Sequence, residues 1–300
     1  MQDHTPSLLS FIGQALGVPL GAIPLSFCRL QRAYLLEKDH LDTEGTAILL
    51  AVPYLVSGDA HHPRRNLSLY AVPEDYHRYF EGLKQSLLPR IRDAYPDFHF
   101  GLFGDHSPIA EVEAAVRCGL GILGKHGLLI TPDYGSFVFL GEIITDMPWG
   151  QAVGTEEAFE PREMGFCQGC DACIRACPGG CLPTHRDTCI SAISQKKGML
   201  SPEEIRLLTS QPLVWGCDVC QLVCPHNRSV IAGGQDTPVA YFAENRIIHI
   251  DQTLLEQMED ADFSRRAYAW RGKDTIGRNL SLLGKGDAYD EPDTGSHGKR

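Results

Sequence analysis

An α+β fold is predicted by three observations. Over the first half of the chain, apolar runs of strand length alternate with stretches of helical spacing; some predicted strands are also adjacent in sequence; and glycine- and proline-rich turns separate them. With 300 residues the chain carries about two domains as a prior, and 43% hydrophobic with 22% charged residues supports a sizeable core. The predicted organisation is a mixed α/β domain over residues 1–146 and a Pro/Gly/Glu-rich linker over 147–165. A cysteine-rich domain follows over 166–235, then a short C-terminal strand and helical segment over 236–285 and a disordered tail over 286–300.

Residues 7–16 read as a short helix. Residues 46–55 are a compact apolar run ended by turn residues, hence a buried strand. Residues 70–94 place Tyr76, Tyr79, Phe80, Leu83 and Leu87 near helical spacing, with Pro89 expected to break the helix. A second strand is expected over 98–103. Ser107-Pro108 then reads as N-cap and first residue of a helix running to about Cys118. Residues 127–131 and 136–144 read as strands flanking a turn at 132–135. Ser201-Pro-Glu-Glu204 is a capping-box start. Residues 251–284 read as helical, with Phe263, Ala267, Trp270 and Leu280 toward one side.

Charge and hydropathy remove several function classes. The net charge of −11 makes the chain a poor non-specific polyanion binder, so a nucleic acid would need a local basic patch. Candidates are Arg64-Arg65 and the stretch from Arg265-Arg266 to Arg271 and Lys273. The longest apolar stretch, around Pro53, is shorter than the about 20 residues that span a bilayer. The first residues carry no basic n-region, so no secretory signal and no membrane are expected, and the location is expected to be cytoplasmic.

Nine of the eleven cysteines lie between Cys167 and Cys224. Cys167-x2-Cys170-x2-Cys173-x3-Cys177-Pro178 has the spacing in which three thiolates wrap one iron–sulfur cubane and the fourth ligates another. Cys217-x2-Cys220-x3-Cys224-Pro225 repeats the ending, and Cys189 supplies the missing thiolate. Two 4Fe–4S clusters are therefore predicted in a ferredoxin-like unit, with the last ligands crossed. One cluster takes Cys167, Cys170, Cys173 and Cys224; the other takes Cys177, Cys189, Cys217 and Cys220. Cys28, Cys118 and Cys181 are left over as small buried apolar residues. Structural zinc is the competing reading, but four ligands per ion do not account for the spacing ahead of each proline.

Two glycine motifs fail on context. Gly119, Gly121 and Gly124 match a dinucleotide fingerprint but follow a predicted helix rather than a strand. The overlapping Walker-like run ends in His126, which cannot replace the magnesium-binding hydroxyl. Asp105 stands at the end of a predicted strand, where a working carboxylate or an ordinary capping one can sit.

The segment Tyr70-Ala-Val-Pro-Glu-Asp75-Tyr76-His77, the run Asp105-His-Ser-Pro108, the glycine motif through Lys125, the stretch Gly135-Ser-Phe-Val-Phe-Leu-Gly-Glu142 and the eight cysteines in order resemble the epoxyqueuosine reductases. Arg278-Asn-Leu280 resembles the start of their C-terminal helical region. The resemblance spans residues 46–282. It implies a cobalamin-binding first domain, electrons passed from an external low-potential donor through two clusters, and reduction of the epoxide of a queuosine precursor in tRNA to an alkene. It further implies that Asp105 donates a proton to the departing oxygen, from a carboxyl raised by burial beside the cofactor. Cobalamin neighbours implied by position are Lys125, Leu129, Leu140, Ser191 and the Asp218-Val219 peptide. Against that pattern, Ala192, Lys196 and His226 differ, and most of the C-terminal HEAT-like repeats are expected to be missing. A related small electrophile as substrate, and a ferredoxin-like electron carrier without its own chemistry, remain the alternatives.

Overall fold

A computed structural model describes residues 6–184 and 186–284; the tail expected over 286–300 lies outside the described residues. Four strands form one antiparallel sheet in the order β1-β2-β6-β3, made of β1 (Leu20–Pro24), β2 (Thr46–Pro53), β3 (Phe100–Gly104) and β6 (Val138–Thr145). β2 lies between two partners and both of its faces are covered, so all eight of its residues are buried. That is why its sequence is a continuous apolar run rather than an alternating one. Ile48, Leu50 and Val52 pack with α1 (Leu8–Leu16) and with the helix Tyr76–Ala94 on one face. Ala47, Leu49 and Ala51 pack on the other face with α2 (Tyr34–Glu37), which carries Leu35 and Leu36, and with Ala114 and Ala115.

The helix α3 (Tyr76–Ala94) starts after a short 3-10 turn at Leu69–Ala71 and continues through Pro89. A proline inside a helix costs about 3 kcal/mol. Phe80, Leu83, Leu87, Leu88 and Ile91 are all buried along this helix, and each buried side chain of this kind stabilises by about 1.5–3 kcal/mol, so packing outweighs the break. Its ring Phe80 lies flat against the sheet: a Cβ on Gly104 or Gly141, which pair across β3 and β6, would come within 2.6 or 2.3 Å of it. Glycine at both positions lets the helix approach the strand end that leads into Asp105.

The predicted helix at Ser107-Pro108 begins later, as α4 (Glu111–Arg117), with Ala110 as its cap residue. Ser107 is buried and its hydroxyl is taken up by Glu142 and by the Ile109 N–H, so it cannot cap. The strands expected on either side of the turn at 132–135 do not form a hairpin. β4 (Ile122–Leu123) pairs with β5 (Leu129–Ile130), while β6 joins the main sheet. Residues 147–165 are not a loose linker: α5 (Trp149–Val153) packs on α1, Ala152 is buried, and Arg162 N–H bonds the Arg117 carbonyl.

The second half is built from short helices: α6 (Ala172–Ala176), α7 (Ile190–Ser194), α8 (Pro202–Leu208), α9 (Val219–Leu222), α10 (Pro225–Ala232) and α11 (Ala240–Ala243). The capping box on α8 is present in full, with Ser201 and Glu204 bonding each other's backbone. The C-terminal region is not one helix but α12 (Gln252–Gln257), α13 (Asp260–Phe263) and α14 (Lys273–Gly284). Phe263 and Ala267 are buried, whereas Trp270 is 57% exposed with the Arg271 guanidinium over its ring, so it does not share their side.

The two halves are joined by specific polar contacts. Fully buried Trp215 donates to the Tyr70 hydroxyl at 2.7 Å. Asn227 and Gln221, on α10 and α9, both bond Ser136 in the turn before β6. Arg65 donates at 2.5 Å to Asp218, which also accepts the Leu69 N–H. Removing one member of such a buried pair leaves the other charge uncompensated, at a typical cost of about 3–5 kcal/mol.

Candidate functional site

Asp105 follows the last residue of β3 in a left-handed conformation, φ +64°, which non-glycine residues adopt at a cost. The start of α3 faces it. Asp75 caps that helix and accepts both the backbone N–H of His77, at 3.0 Å, and its ring Nδ1, at 2.8 Å. The other ring nitrogen, Nε2, lies 3.2 Å from Asp105 Oδ2. The Tyr76 hydroxyl also faces Asp105 and favours its charged form. The His77 ring stacks on Tyr76 at 4.1 Å, and Tyr76 stacks on Phe139 of β6 at 4.4 Å, fixing the imidazole between two carboxylates.

The electrostatics differ from the sequence expectation. Asp105 is not buried beside apolar groups; its side chain is 61% exposed. The hydrogen bond from His77 holds its carboxyl below the usual carboxylate range instead. The same contact, followed by that of Asp75, pushes His77 up to about 9. Near neutral pH the pair thus holds one proton between Oδ2 and Nε2, and the resting form is carboxylate and imidazolium. His77 should therefore titrate near pH 9 by NMR, moving back toward the ordinary histidine value of about 6.5 in Asp105→Asn. Because its folded value is raised, its contribution to stability is present below the unfolded histidine value and lost as pH rises through about 9.

Electrostatic contacts link the cysteines into two overlapping sets. Cys173 lies within electrostatic range of Cys167 and Cys224, and Lys125 within range of Cys167 and Cys170. Cys217 lies within range of Cys189 and Cys177, and Cys220 within range of Cys217 and Cys189 as well as Cys173. The Lys125 backbone N–H donates to Cys167 Sγ at 3.2 Å, the kind of contact that tunes a ligated sulfur. Cys28 and Cys118 are inert thiols, each pushed up to about 12 by burial. Cys181 is not an isolated apolar residue: its Sγ stands 3.3 Å from that of Cys177 and is hydrogen-bonded to Cys189.

The remaining residues named from the sequence fall on both halves. The Lys125 ammonium is engaged by Asp171 at 2.5 Å. Leu129 in β5 is buried, Leu140 in β6 is half-buried, and both join the apolar layer on the α4 side of the sheet. Ser191, in the first turn of α7, accepts from Gln195. The Asp218 side chain is turned onto Arg65, which leaves its peptide with Val219 as the part toward Cys217 and Cys220. Of the basic candidates, Arg65 is spent on Asp218, and Arg266 is buried and donates to the Asn245 carbonyl. Arg265 pairs with Glu74, and Lys273 with Asp260. Basic groups also line a cleft of about 560 Å³ between α8 and α14, namely Lys197, Arg271 and Arg278.

Sequence reasoning placed Asp75 and His77 only in a family segment, and Tyr76 there and on an apolar helix face, and gave none of them a role in the site. Their distance along the chain from Asp105 hides the contact. The usable signal was a cap residue followed by Tyr-His at the start of a helix that packs on the strand leading to Asp105.

Residues 166–227 match the 4Fe-4S double cluster binding domain family. The chain is 39% identical over 181 residues to an epoxyqueuosine reductase from Burkholderia pseudomallei, covering 59% of this chain and 43% of that protein. It is 31% identical over 230 residues to the one from Lactococcus garvieae, covering 72% and 60%. The chain thus spans about half the length of the curated relatives it matches. Its fold is that of the solved epoxyqueuosine reductase from Streptococcus thermophilus, with TM-score 0.64, 23% identity, and 92% of this chain and 79% of that one covered. A further solved epoxyqueuosine reductase, described as bound to an epoxyqueuosine-modified tRNA stem loop, matches with TM-score 0.66 and 23% identity over 92% of this chain and 79% of that one. No helix among the described residues is long and apolar enough to cross a membrane.

Proposed function

Because this chain is a family relative of the epoxyqueuosine reductases, we propose that it is an oxidoreductase that removes the epoxide oxygen of epoxyqueuosine, carried on tRNA or presented as a smaller electrophile. Conversion of an epoxide to an alkene consumes two electrons and two protons and releases water. Two cubanes, on Cys167, Cys170, Cys173 and Cys224 and on Cys177, Cys189, Cys217 and Cys220, would relay single electrons from an external low-potential donor. Cobalamin, when bound, would supply the strongly reducing centre that attacks the substrate.

The residues present suit such a macrocycle. Leu128 and Phe166 expose apolar surface, 39% and 54%, on either side of the Lys125 loop and the first cluster cysteine. In that loop His126 accepts the Leu128 N–H at Nδ1, so its Nε2 carries a hydrogen, and this buried donor has no partner among the described residues. Lys125, Leu129, Leu140, Ser191 and the Asp218-Val219 peptide would line the same group.

The observation that carries the reading is the one-proton pair of Asp105 and His77, which a plain electron carrier would not need. As charge develops on the departing oxygen, the proton held at His77 Nε2 would pass through Asp105 Oδ2 to that oxygen while Asp75 holds Nδ1. Tyr76 fixes the carboxyl during the transfer.

The test is anaerobic reduction by the cluster- and cobalamin-loaded protein, with a chemical reductant, of an epoxyqueuosine stem loop beside the free nucleoside. Alkene product with either substrate supports the reading, and the ratio of the two rates reports how far RNA contacts contribute. Unchanged epoxide in both, with clusters and cobalamin loaded, removes it.

A further inference from the structure

Beneath the Asp105 turn lies a pair of carboxyl groups for which the reaction above has no use. Glu142, in the middle of the sheet on β6, has no exposed surface, and its Oε1 is 2.5 Å from the buried Ser107 hydroxyl. Its carboxyl is in hydrogen-bond contact with that of Glu111, the first residue of α4. The backbone N–H of Asp105 in turn faces the Glu111 carboxyl and favours its charged form. Asp105, Ser107, Glu111 and Glu142 therefore close a ring that begins and ends on one short turn.

Each carboxyl keeps a buried oxygen, Oε1 of Glu111 and Oε2 of Glu142, that no protein N–H or O–H reaches among the described residues. Two carboxylates in contact and out of water repel, whereas a proton between them turns repulsion into a hydrogen bond. The other groups facing the pair do not change this. Arg32 lies near Glu111 and donates to the Ser107 carbonyl, the Asp105 charge opposes it, and Cys28, a thiol raised by burial, faces Glu142. Burial and mutual contact push both glutamates upward.

We infer that Glu111 and Glu142 share a proton and together form a positioning latch, holding the Asp105 N–H and with it the left-handed turn that presents the Asp105 carboxyl to His77 and Tyr76. The inference rests on the reading of Asp105 as the proton donor. When the shared proton is lost, Glu142 has no route to solvent. Glu111, at the end of a short helix, is the partner that moves, and it releases the Asp105 N–H. The turn is then free to leave its strained conformation.

The test is amide hydrogen exchange at Asp105 in the loaded protein across pH, expressed as protection relative to an unstructured peptide and set beside the pH profile of single-turnover epoxide reduction. In the wild type, protection should fall about tenfold or more over the alkaline range, and the rate should fall with it. Glu142→Gln supplies a permanent donor to Glu111, so protection and rate should both persist to higher pH, leaving only the His77 step. Glu111→Ala should lose protection at every pH. Protection in the wild type that is flat with pH, or unchanged in Glu111→Ala, overturns the latch; so does protection that behaves as described while the rate ignores it. If wild-type protein reduces no epoxide at all, the proposed function falls, and the exchange data still decide whether the pair holds the turn.

Discussion

Asp105→Asn should leave iron, sulfide and cobalamin content unchanged while slowing epoxide reduction by about 10²- to 10⁴-fold, the usual range for a positioned general acid. The substitution is conservative in the two respects that would confuse the result. Asparagine adopts the left-handed conformation readily, so the turn at φ +64° survives. The carboxamide still bonds His77 but cannot hold or pass the shared proton. Single-turnover product analysis by mass spectrometry, beside metal analysis of the same sample, checks it. Wild-type rates in this variant would remove Asp105 from the chemistry.

The second large effect concerns the crossed cluster ligands. Cys224→Ala should lower iron from about eight to about four per chain and drive donor-dependent turnover to background. The cluster lost should be that of Cys167, Cys170 and Cys173, because Cys224 lies in range of Cys173. Cys217→Ala should remove the other cluster. Spectroscopy of the two single variants therefore distinguishes crossing from two sequential sets. If Cys224→Ala and Cys217→Ala lost the same cluster, the crossed assignment would be wrong.

How much of this could be read from the chain depended on how far apart the interacting residues lie. The β2 strand and the cysteine spacing are local signals, and both are found as expected in the sequence. The capping box at Ser201 is local too, and both of its bonds form. Ser107-Pro108 looked equally local and misled, since buried Glu142, far along the chain, draws the hydroxyl away from a helix cap. Pro89 misled for a related reason, because apolar burial against the sheet outweighs a single lost helical bond. The expectation of a raised Asp105 failed because it weighed the cofactor and not His77, a partner brought close only by the packing of α3 on β3. Arg65 and Arg266 looked like surface charge for RNA, yet Arg65 is consumed by the buried, distant Asp218, and Arg266 is itself buried and donates to the Asn245 carbonyl.

The most direct measurement is metal and sulfide analysis of protein purified without oxygen. Two cubanes give about eight irons and eight labile sulfides per chain, with broad visible absorption that bleaches on reduction. Stoichiometric zinc with no labile sulfide would contradict the account at its root, since no electrons could then reach the site beside Asp105.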